Sequence, residues 1–510
     1  MMHGREKSDS PIVAGKAANK AGIAAAEPVE PSGEAKGNAE RQSMLRTQSR
    51  AGMSQALDRV RQTAKENKAE RFTALLHHVT VDLLRRSYEG QTKEAAPGAD
   101  GVTWQDYGKD LEHRLADLHA RIHRGAYRAQ PVRRQYIPKP DGRQRPLGIA
   151  ALEDKIVQSA LAEVLNAIYE EDFLGFSYGF RPGRSQHDAL DALSVAITGH
   201  KVNHILDADL KSFFDRVDHD WLVRFVEHRV GDRRVLRLIR KWLKTGVVED
   251  GTITKAQAGT PQGAVISPLL ANVYLHHVFD LWANQWRKRH ARGTVIVVRY
   301  ADDIVVGFQY RDDAERFRAA LEQRLEAFEL KLNGDKTRLI EFGRFAADNR
   351  ARRGLGKPES FTFLGFTHVC GRDRNGRYQV KRRSCRKRRR AKLQAVKAEL
   401  RRRMHQPTAM TGAWLAQVVG GYFAYHAVPG NRAALAAFRY HVVNLWRRTL
   451  RRRSQKDAMT WREIGRLADR WLPKPRILHP WPLHRFAVKH PRQEPYAGIP
   501  LVRICAGGAG

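Results

Sequence analysis

Residues 294–308 read Thr-Val-Ile-Val-Val-Arg-Tyr-Ala-Asp-Asp-Ile-Val-Val-Gly-Phe, so a short polar centre separates two runs of β-branched and aromatic residues. This pattern predicts a β-hairpin with Tyr300, Ala301, Asp302 and Asp303 at or beside its turn. Two adjacent carboxylates between apolar strands repel each other and lose hydration, so they favour a nearby cation. Magnesium suits such a place because it takes hard oxygen ligands and also coordinates substrate phosphates. A plain Asp-Asp β-turn is the alternative, and the hairpin alone leaves it open.

A second acidic segment, His204-Ile-Leu-Asp-Ala-Asp-Leu210, predicts a strand with Asp207 and Asp209 on one face. Two helical patterns follow it, at residues 221–230 and 235–243. The hairpin at 294–308 comes next, then a helical pattern at 317–328 and a last strand at 337–342. This order is the split βαβ layout, whose central strands can bring Asp209 against Asp302. Such a carboxylate cluster would hold two metal ions about 4 Å apart.

A further hairpin is predicted over residues 136–149, which read Tyr-Ile-Pro-Lys-Pro-Asp-Gly-Arg-Gln-Arg-Pro-Leu-Gly-Ile. Its turn falls at Asp141-Gly142. The turn would place Lys139 and Arg145 on facing strands, where both cations could reach one triphosphate. An exposed basic hairpin that binds nothing is the alternative.

The loop at residues 177–190 leads into a helix that Ser185 is expected to cap. Its two arginines, Arg181 and Arg184, are expected to contact the backbone of a nucleic acid template. A structural salt bridge is the alternative for one of the two.

A glycine-containing loop at residues 258–272 leads into another helix. Gly263 permits a close approach of the backbone to a base pair, and Gln262 can form a hydrogen bond there.

The charge balance indicates a polyanionic partner. Lysine and arginine number 91 against 54 acidic residues, which gives a formal net charge of +37, and nucleic acid is the leading candidate. A membrane surface is disfavoured because no apolar run approaches the roughly 18 residues of a spanning helix. The cysteines Cys370, Cys385 and Cys505 have no paired spacing, which excludes a zinc ribbon and suits a reducing compartment.

The chain becomes strongly basic after residue 380, with eight cations in the ten positions 381–390. Helical patterns follow at residues 414–425 and 435–450. A solvated charged face is the ordinary interpretation, but runs this dense repel themselves unless something neutralises them. Basic helices with aromatic residues, expected to be exposed at Tyr422, Tyr425 and Trp446, suit folded RNA. The candidate RNA contacts in this part of the chain are Arg388, Arg389, Arg390, Arg401, Arg402, Arg451 and Arg452.

In their order along residues 70–490, these motifs resemble those of the group II intron-encoded reverse transcriptases and maturases. The resemblance implies an α+β right-hand polymerase, with fingers and a palm containing a split βαβ antiparallel sheet, followed by an α-helical thumb or maturase domain. It implies a helical extension of the fingers at residues 56–125, the fingers and palm at 126–375, the basic thumb at 376–485 and a tail at 486–510. For residues 1–55, the composition predicts a basic extension rich in Ala and Gly that is disordered or ordered by RNA, with a targeting peptide as the alternative.

The resemblance also assigns roles to single residues. Asp209, Asp302 and Asp303 would be catalytic and, with Leu210, would hold two Mg2+ ions. Lys336 would donate a proton to pyrophosphate, although an exposed lysine agrees equally well with the sequence alone. The incoming deoxynucleoside triphosphate would be contacted by Lys139, Arg145, Phe214, Gln262, Gly263 and Tyr300.

Phe214 lies five residues after Asp209, where polymerases of this type pack a side chain under the sugar of the incoming nucleotide. A bulky ring there would clash with a 2′-hydroxyl, so the resemblance implies a preference for deoxynucleotides. Phe213 beside it is expected to lie in the core.

The function implied is that of an RNA-directed DNA polymerase from a mobile group II intron, which binds its intron RNA to promote splicing and supports retrohoming by target-primed reverse transcription. The partners would be intron RNA, an RNA template, a DNA target and primer, and deoxynucleoside triphosphates, without a membrane and with a homodimer left open. The expected location is the bacterial cytoplasm, at the nucleoid.

One departure concerns the end of the chain, which has only Cys505 where many family members carry a Cys- and His-rich HNH endonuclease domain. We expect second-strand cleavage to be absent. Two alternative functions remain open: a host-adapted reverse transcriptase of phage defence or spacer acquisition, and a non-enzymatic RNA-binding splicing maturase.

Overall fold

The structure is a computed structural model that describes residues 55–138, 144–249, 252–254, 259–260, 263–453 and 459–489. The extension expected at residues 1–55 lies almost entirely outside the described residues, as does most of the tail expected at 486–510. Within the described ranges, none of the helices is both long and apolar enough to cross a lipid bilayer.

A helical region precedes the first strand. It contains α1 (residues 55–66), a 3-10 turn (Leu76–His78), α2 (Val81–Glu89), α3 (Trp104–Gly108) and α4 (Leu111–His123). Threonine hydroxyls cap two of these helices, because Thr80 accepts a hydrogen bond from the Leu83 amide and Thr103 accepts one from the Asp106 amide. Apolar residues at helical spacing turn inward into one large core.

The first sheet has four strands in the order β2-β1-β4-β5. Their bounds are β1 (Val132–Pro138), β2 (Gln144–Ile149), β4 (Val247–Glu249) and β5 (Thr252–Thr254). Strands β1 and β2 are antiparallel, as the hairpin prediction requires, whereas β1 and β4 are parallel.

The second sheet, called the carboxylate sheet below, is antiparallel with the order β6-β7-β3-β8. It consists of β3 (His204–Asp209), β6 (Val295–Tyr300), β7 (Asp303–Phe308) and β8 (Arg338–Glu341). The predicted order of strand, helices, hairpin, helix and strand is confirmed. All six residues of β6 are buried, because both faces of this sheet are covered by apolar side chains.

Helices make up most of the chain around these four strands. They are α5 (Leu152–Asp172), α6 (Gln186–Gly199), α7 (Phe213–Arg216), α8 (His219–Glu227), α9 (Arg233–Leu243), α10 (Ser267–Leu275), a π-turn (His276–Asp280), α11 (Leu281–Arg289), α12 (Arg311–Glu326) and α13 (Ala346–Arg352). The predicted cap of α6 is confirmed, because Ser185 and Asp188 form a reciprocal capping box.

A third sheet of three strands follows, in the order β11-β10-β9. The strands are β9 (Phe361–Phe363), β10 (Phe366–Arg372) and β11 (Tyr378–Ser384). The boundary expected at residues 375–376 falls inside the paired β10–β11 hairpin, and the next helix begins only at Arg386. This helix therefore begins five residues after the start of the basic run at Lys381.

The last part of the described chain is helical, with α14 (Arg386–Arg402), α15 (Thr408–His426), α16 (Arg432–Leu450), α17 (Trp461–Trp471) and α18 (Pro482–Lys489). The expectation that Trp446 and Tyr422 are exposed is wrong, since Trp446 is fully buried and Tyr422 is buried beside Phe438. Both face a separate core between these helices. The exposed aromatic residues here include Tyr440 and Trp461, whose rings stack on each other.

Candidate active site

Three carboxylates meet at the ends of two neighbouring strands of the carboxylate sheet. Asp209, the last residue of β3, lies directly opposite Asp303, the first residue of β7. Across the hairpin, Asp303 pairs with Tyr300, so Ala301 and Asp302 form the turn between β6 and β7. The prediction that the sheet brings the two acidic segments together is confirmed.

The turn itself is tight. Ala301 has a φ of +56°, in the left-handed region that residues other than glycine seldom adopt. The backbone of Gly179 lies against it, because a Cβ added at Gly179 would come within 2.3 Å of the Ala301 amide nitrogen. A side chain at position 179 would therefore displace the turn that carries Asp302.

Electrostatic repulsion concentrates on Asp303. Burial, together with the charges of Asp302 and Asp209, raises the pKa of the Asp303 carboxyl from 3.8 to about 7, and the positive charge of Arg388 opposes this. Burial likewise raises the pKa of Asp207 to about 6, and Arg338 opposes that shift from 3.8 Å away. Carboxylates that resist ionisation for these reasons favour a cation that would neutralise them.

The carboxylate of Asp209 accepts hydrogen bonds from two side chains. Its carboxylate oxygens accept from the Lys336 ammonium at 2.9 and 3.1 Å, and one of them accepts from the Asn333 amide at 3.0 Å. Lys336 is thus placed at the carboxylates, although more than half of its side chain is exposed.

The side chains of the three aspartates do not form a closed ligand set. Among the residues that the structure describes, no group of three or more His, Cys, Asp or Glu side chains is arranged to hold a metal ion. The Leu210 side chain is aliphatic and buried, so only its backbone carbonyl could be a ligand, and an isolated β-bridge joins this backbone to Leu332. Two features of the site therefore favour a cation: its carboxylate oxygens, which are suitable ligands, and the repulsion between the negative charges at Asp303.

Phe214 lies one short turn beyond Asp209, in α7. Phe213 is buried as predicted, while Phe214 is only partly buried. The Phe214 carbonyl accepts a hydrogen bond from the Thr260 amide at 2.8 Å, so the loop before α10 is attached to α7. Gly259, in that loop, has a φ of +89° and would meet the Phe214 carbonyl at 2.8 Å if it carried a Cβ.

Gly263 lies close to protein backbone, and the approach to a base pair expected of it stays a prediction. An added Cβ would come within 2.4 Å of the Gly148 carbonyl oxygen in β2, and the φ of Gly263 is +114°. Gln262 and Lys139 lie outside the described residues. For Arg145 the structure describes the backbone, which pairs with Ile137 of the facing strand.

The template contact expected of Arg181 is not supported. Its side chain is buried and forms an ion pair with Glu170 at 2.9 Å, and it also donates to the carbonyls of Leu174 and Ser177. The structural alternative therefore applies to Arg181. Arg184 is partly buried and donates to the Gly175 carbonyl at 2.7 Å.

The basic residues proposed to bind RNA lie on the late helices and not at the carboxylates, with one exception. Arg388 of α14 is exposed and close enough to Asp303 to act on its pKa. Arg389 is partly buried. The remaining candidates are exposed, and they are Arg390, Arg401, Arg402, Arg451 and Arg452.

Sequence reasoning missed a polar network beneath the turn. Arg299, Asp280, Asn272 and Ser177 are all buried there and are joined by hydrogen bonds. The available signal was the single arginine in the apolar run of β6, immediately before Tyr300.

Comparison with known proteins agrees with this geometry. Residues 137–368 match the family described as Reverse transcriptase (RNA-dependent DNA polymerase). Protein YkfC of Escherichia coli (strain K12) is 35% identical over 319 residues, which are 56% of this chain and 78% of that protein. The Group II intron-encoded protein LtrA of Lactococcus lactis subsp. cremoris is 34% identical over 224 residues, which are 44% of this chain and 37% of that protein.

A plant protein is similar over a shorter stretch. Nuclear intron maturase 1, mitochondrial, of Arabidopsis thaliana is 32% identical over 92 residues, or 18% of this chain and 13% of that protein. The chain thus spans more than three quarters of the first relative but little more than a third of LtrA.

Proposed function

This chain belongs to the family of group II intron-encoded reverse transcriptases and maturases, and we propose that it copies RNA into DNA at the site of Asp209, Asp302 and Asp303. The observation that supports this most is the pairing of Asp209 with Asp303 beside the Asp302 turn. The reaction is nucleotidyl transfer, in which a primer 3′-hydroxyl attacks the α-phosphate of a deoxynucleoside triphosphate and pyrophosphate leaves.

Asp209, Asp302 and Asp303 would hold two Mg2+ ions. Oxygen ligands are what Mg2+ prefers, and the raised pKa of Asp303 agrees with a site whose negative charge is not fully offset by Lys336 and Arg388. Bound there, Mg2+ would supply activation of the attacking hydroxyl and neutralisation of the leaving oxygen.

The other side chains would orient the substrates. Lys336, already paired with Asp209, has an ammonium close enough to the carboxylates to protonate or neutralise pyrophosphate. Phe214, held by its carbonyl against the loop before α10, would exclude a ribose 2′-hydroxyl. Lys139 and Arg145 would neutralise the triphosphate.

In the terms of a right-hand polymerase, we propose that the first sheet forms the fingers, the carboxylate sheet the palm, and α14 to α17 the thumb. The exposed arginines of the thumb would bind the intron RNA and thereby promote its splicing. Target-primed reverse transcription at a DNA site would then follow from the same polymerase centre.

Primer extension on an RNA template, with Mg2+ and deoxynucleotides, tests the polymerase proposal. Wild-type protein should make DNA, and Asp302→Ala should make none while it binds the RNA as tightly as wild type does. Asp335→Ala, which changes an exposed carboxylate in a nearby turn, should remain active. If the wild type makes no DNA but binds RNA in a salt-sensitive way, a non-enzymatic maturase is the better proposal.

A further inference from the structure

Arg299 is a fully buried cation in the strand that leads to the Asp302 turn. Strand alternation puts its side chain on the same face of β6 as Val295 and Val297, which belong to the large core. Its side chain has no exposed surface. An unpaired guanidinium in such surroundings would cost several kcal/mol. The fold must therefore neutralise Arg299 and satisfy its donors.

Every N–H group of Arg299 has an acceptor, five in all. Nε and Nη2 donate to the two oxygens of Asp280 at 2.7 and 2.6 Å, in a bidentate pair that is as fully buried as Arg299 itself. Nη2 also donates to the Ser177 hydroxyl at 2.7 Å. Nη1 donates to the Asn272 side chain and to the Ala301 carbonyl, both at 3.0 Å.

The bond to the Ala301 carbonyl connects this network to the turn. Ala301 is held in the left-handed conformation, a strained backbone geometry that persists only where surrounding contacts fix it. Asn272 fixes the other side, because its amide donates to the Gly179 carbonyl at 2.7 Å and Gly179 packs directly on Ala301. The Arg299 side chain is thus bonded directly to Ala301 and, through Asn272, indirectly to Gly179.

Asp280 is positioned by an interruption of its own helix. It ends the π-turn His276–Asp280 between α10 and α11, the kind of irregularity that is rare in helices and often accompanies a functional site. Although burial opposes ionisation, the charge of Arg299 holds the pKa of Asp280 below its ordinary value. Asp280 therefore stays ionised beneath the turn.

We propose that Arg299, oriented by Asp280, is a positioning residue that fixes the Ala301 turn and so holds Asp302 beside Asp303 and Asp209 against their mutual repulsion. This inference rests on the proposed function in one respect, that the three carboxylates bind divalent cations. Neither Arg299 nor Asp280 has to touch a substrate. Their effect is on the distance between carboxylates, so metal affinity should respond before any other property.

The test replaces the buried pair by apolar residues of similar size, in the double variant Arg299→Met/Asp280→Leu. Such replacements of buried ion pairs are often neutral or stabilising, so the protein should remain folded. Mn2+ alone is the probe, and its binding is followed by electron paramagnetic resonance without nucleic acid. Primer extension gives the Mg2+ concentration for half-maximal rate, and thermal unfolding and RNA binding are measured on the same samples.

We expect the double variant to bind Mn2+ about ten- to a hundredfold more weakly, as is typical when groups that orient metal ligands are removed. The Mg2+ requirement should rise by a similar factor, while RNA affinity stays unchanged. Arg299→Lys keeps the charge beside Asp280 but loses the planar fork that reaches the Ala301 carbonyl, so it should also bind Mn2+ more weakly even if the double variant fails to fold.

A matched control removes another ion pair, in which Arg229 is buried and Asp172 is partly buried. Arg229 and Asp172 lie 3.3 Å apart, and Arg229 is 4% exposed, but neither contacts the turn in any bond the structure gives. Arg229→Met/Asp172→Leu should change stability without changing Mn2+ affinity.

The outcomes separate the two proposals. If folded Arg299→Met/Asp280→Leu and Arg299→Lys both bind Mn2+ as wild type does, or if the control loses affinity equally, the positioning role is wrong and the pair only stabilises the fold. If wild type makes no DNA and yet the Arg299 variants bind Mn2+ more weakly than wild type, the positioning role stands and the polymerase proposal fails.

Discussion

Asp303→Asn should make the protein more stable at pH 8 while abolishing DNA synthesis. In wild type, burial and the charges of Asp302 and Asp209 raise the pKa of the Asp303 carboxyl from 3.8 to about 7. Because the folded-state pKa lies above the unfolded value, the fold favours the protonated carboxyl. Stability is therefore complete below about pH 4, and it is lost as the pH rises towards 7.

The size of this loss follows from the shift in pKa. Raising the pKa from 3.8 to about 7 corresponds to roughly 4 kcal/mol at pH 8. Asp303 retains some exposed surface, and solvent screening reduces the figure, so we expect a stability gain of about 2 to 4 kcal/mol for the neutral amide. At pH 5 the gain should be less than half as large, because the folded carboxyl is then already protonated.

Urea unfolding in EDTA at pH 5 and pH 8 measures both values. Asp335→Asn is the control, since it removes an equal charge from an exposed turn residue and should change stability little at either pH. Saturating Mg2+ should stabilise wild type but not Asp303→Asn, because only wild type gains from binding the ion. An Asp303→Asn variant that is no more stable than wild type at pH 8 would refute the argument that the site accumulates unfavourable charge.

Three further predictions concern single residues. Phe214→Val should raise ribonucleotide incorporation in primer extension about ten- to a hundredfold with deoxynucleotide use retained, and unchanged selectivity would contradict the role of the ring. Gly263→Ala should weaken DNA synthesis, because its Cβ would lie 2.4 Å from the Gly148 carbonyl oxygen. Gly183 also has a positive φ, but a Cβ there would meet no atom within 4 Å, so Gly183→Ala should leave DNA synthesis unchanged. His368 is fully buried, and burial lowers its pKa to about 3. The protein should therefore lose stability as the pH falls below 6.5, by about 1 kcal/mol at pH 5.5, because only the unfolded chain then binds a proton at this residue. Urea unfolding of His368→Phe should show a smaller loss of stability on acidification.

The strands of the carboxylate sheet could be predicted because their signals are local. In β6 and β7, runs of β-branched residues lie on both sides of Ala301-Asp302, and this pattern is typical of a β-hairpin. The meeting of Asp209 with Asp303 then followed from the order of elements, since few sheet topologies join a strand, a hairpin and a second strand through helices.

The burial of Trp446 was also available in the sequence and was misinterpreted. Val442, Trp446 and Leu450 lie four residues apart along α16, which puts all three on one stripe of the helix. All three are buried against the neighbouring helices. Periodicity should have outweighed the general preference of aromatic residues for RNA.

Arg181 shows what the sequence could not provide. Its partner Glu170 lies at the end of α5, and the pair forms only because the 177–184 loop folds back onto that helix. From the sequence alone, an arginine that forms a buried ion pair cannot be distinguished from one that contacts a template, because both can occur in the same kind of polar loop. The distinction depends on tertiary packing, which also places Asn272 and Asp280 beneath the turn.

The same packing supplies the buried Arg299 with its own counter-ion beneath the Asp302 turn. Each of the five N–H groups of Arg299 has an acceptor, and Asp280 neutralises its charge. If Asp280 were replaced by Asn, Arg299 would keep its charge and lose its counter-ion, which would leave an uncompensated cation bonded to the Ala301 carbonyl of the turn. We therefore expect Asp280→Asn to weaken Mn2+ binding more than Arg299→Met/Asp280→Leu does, because it adds an uncompensated cation to the loss of position.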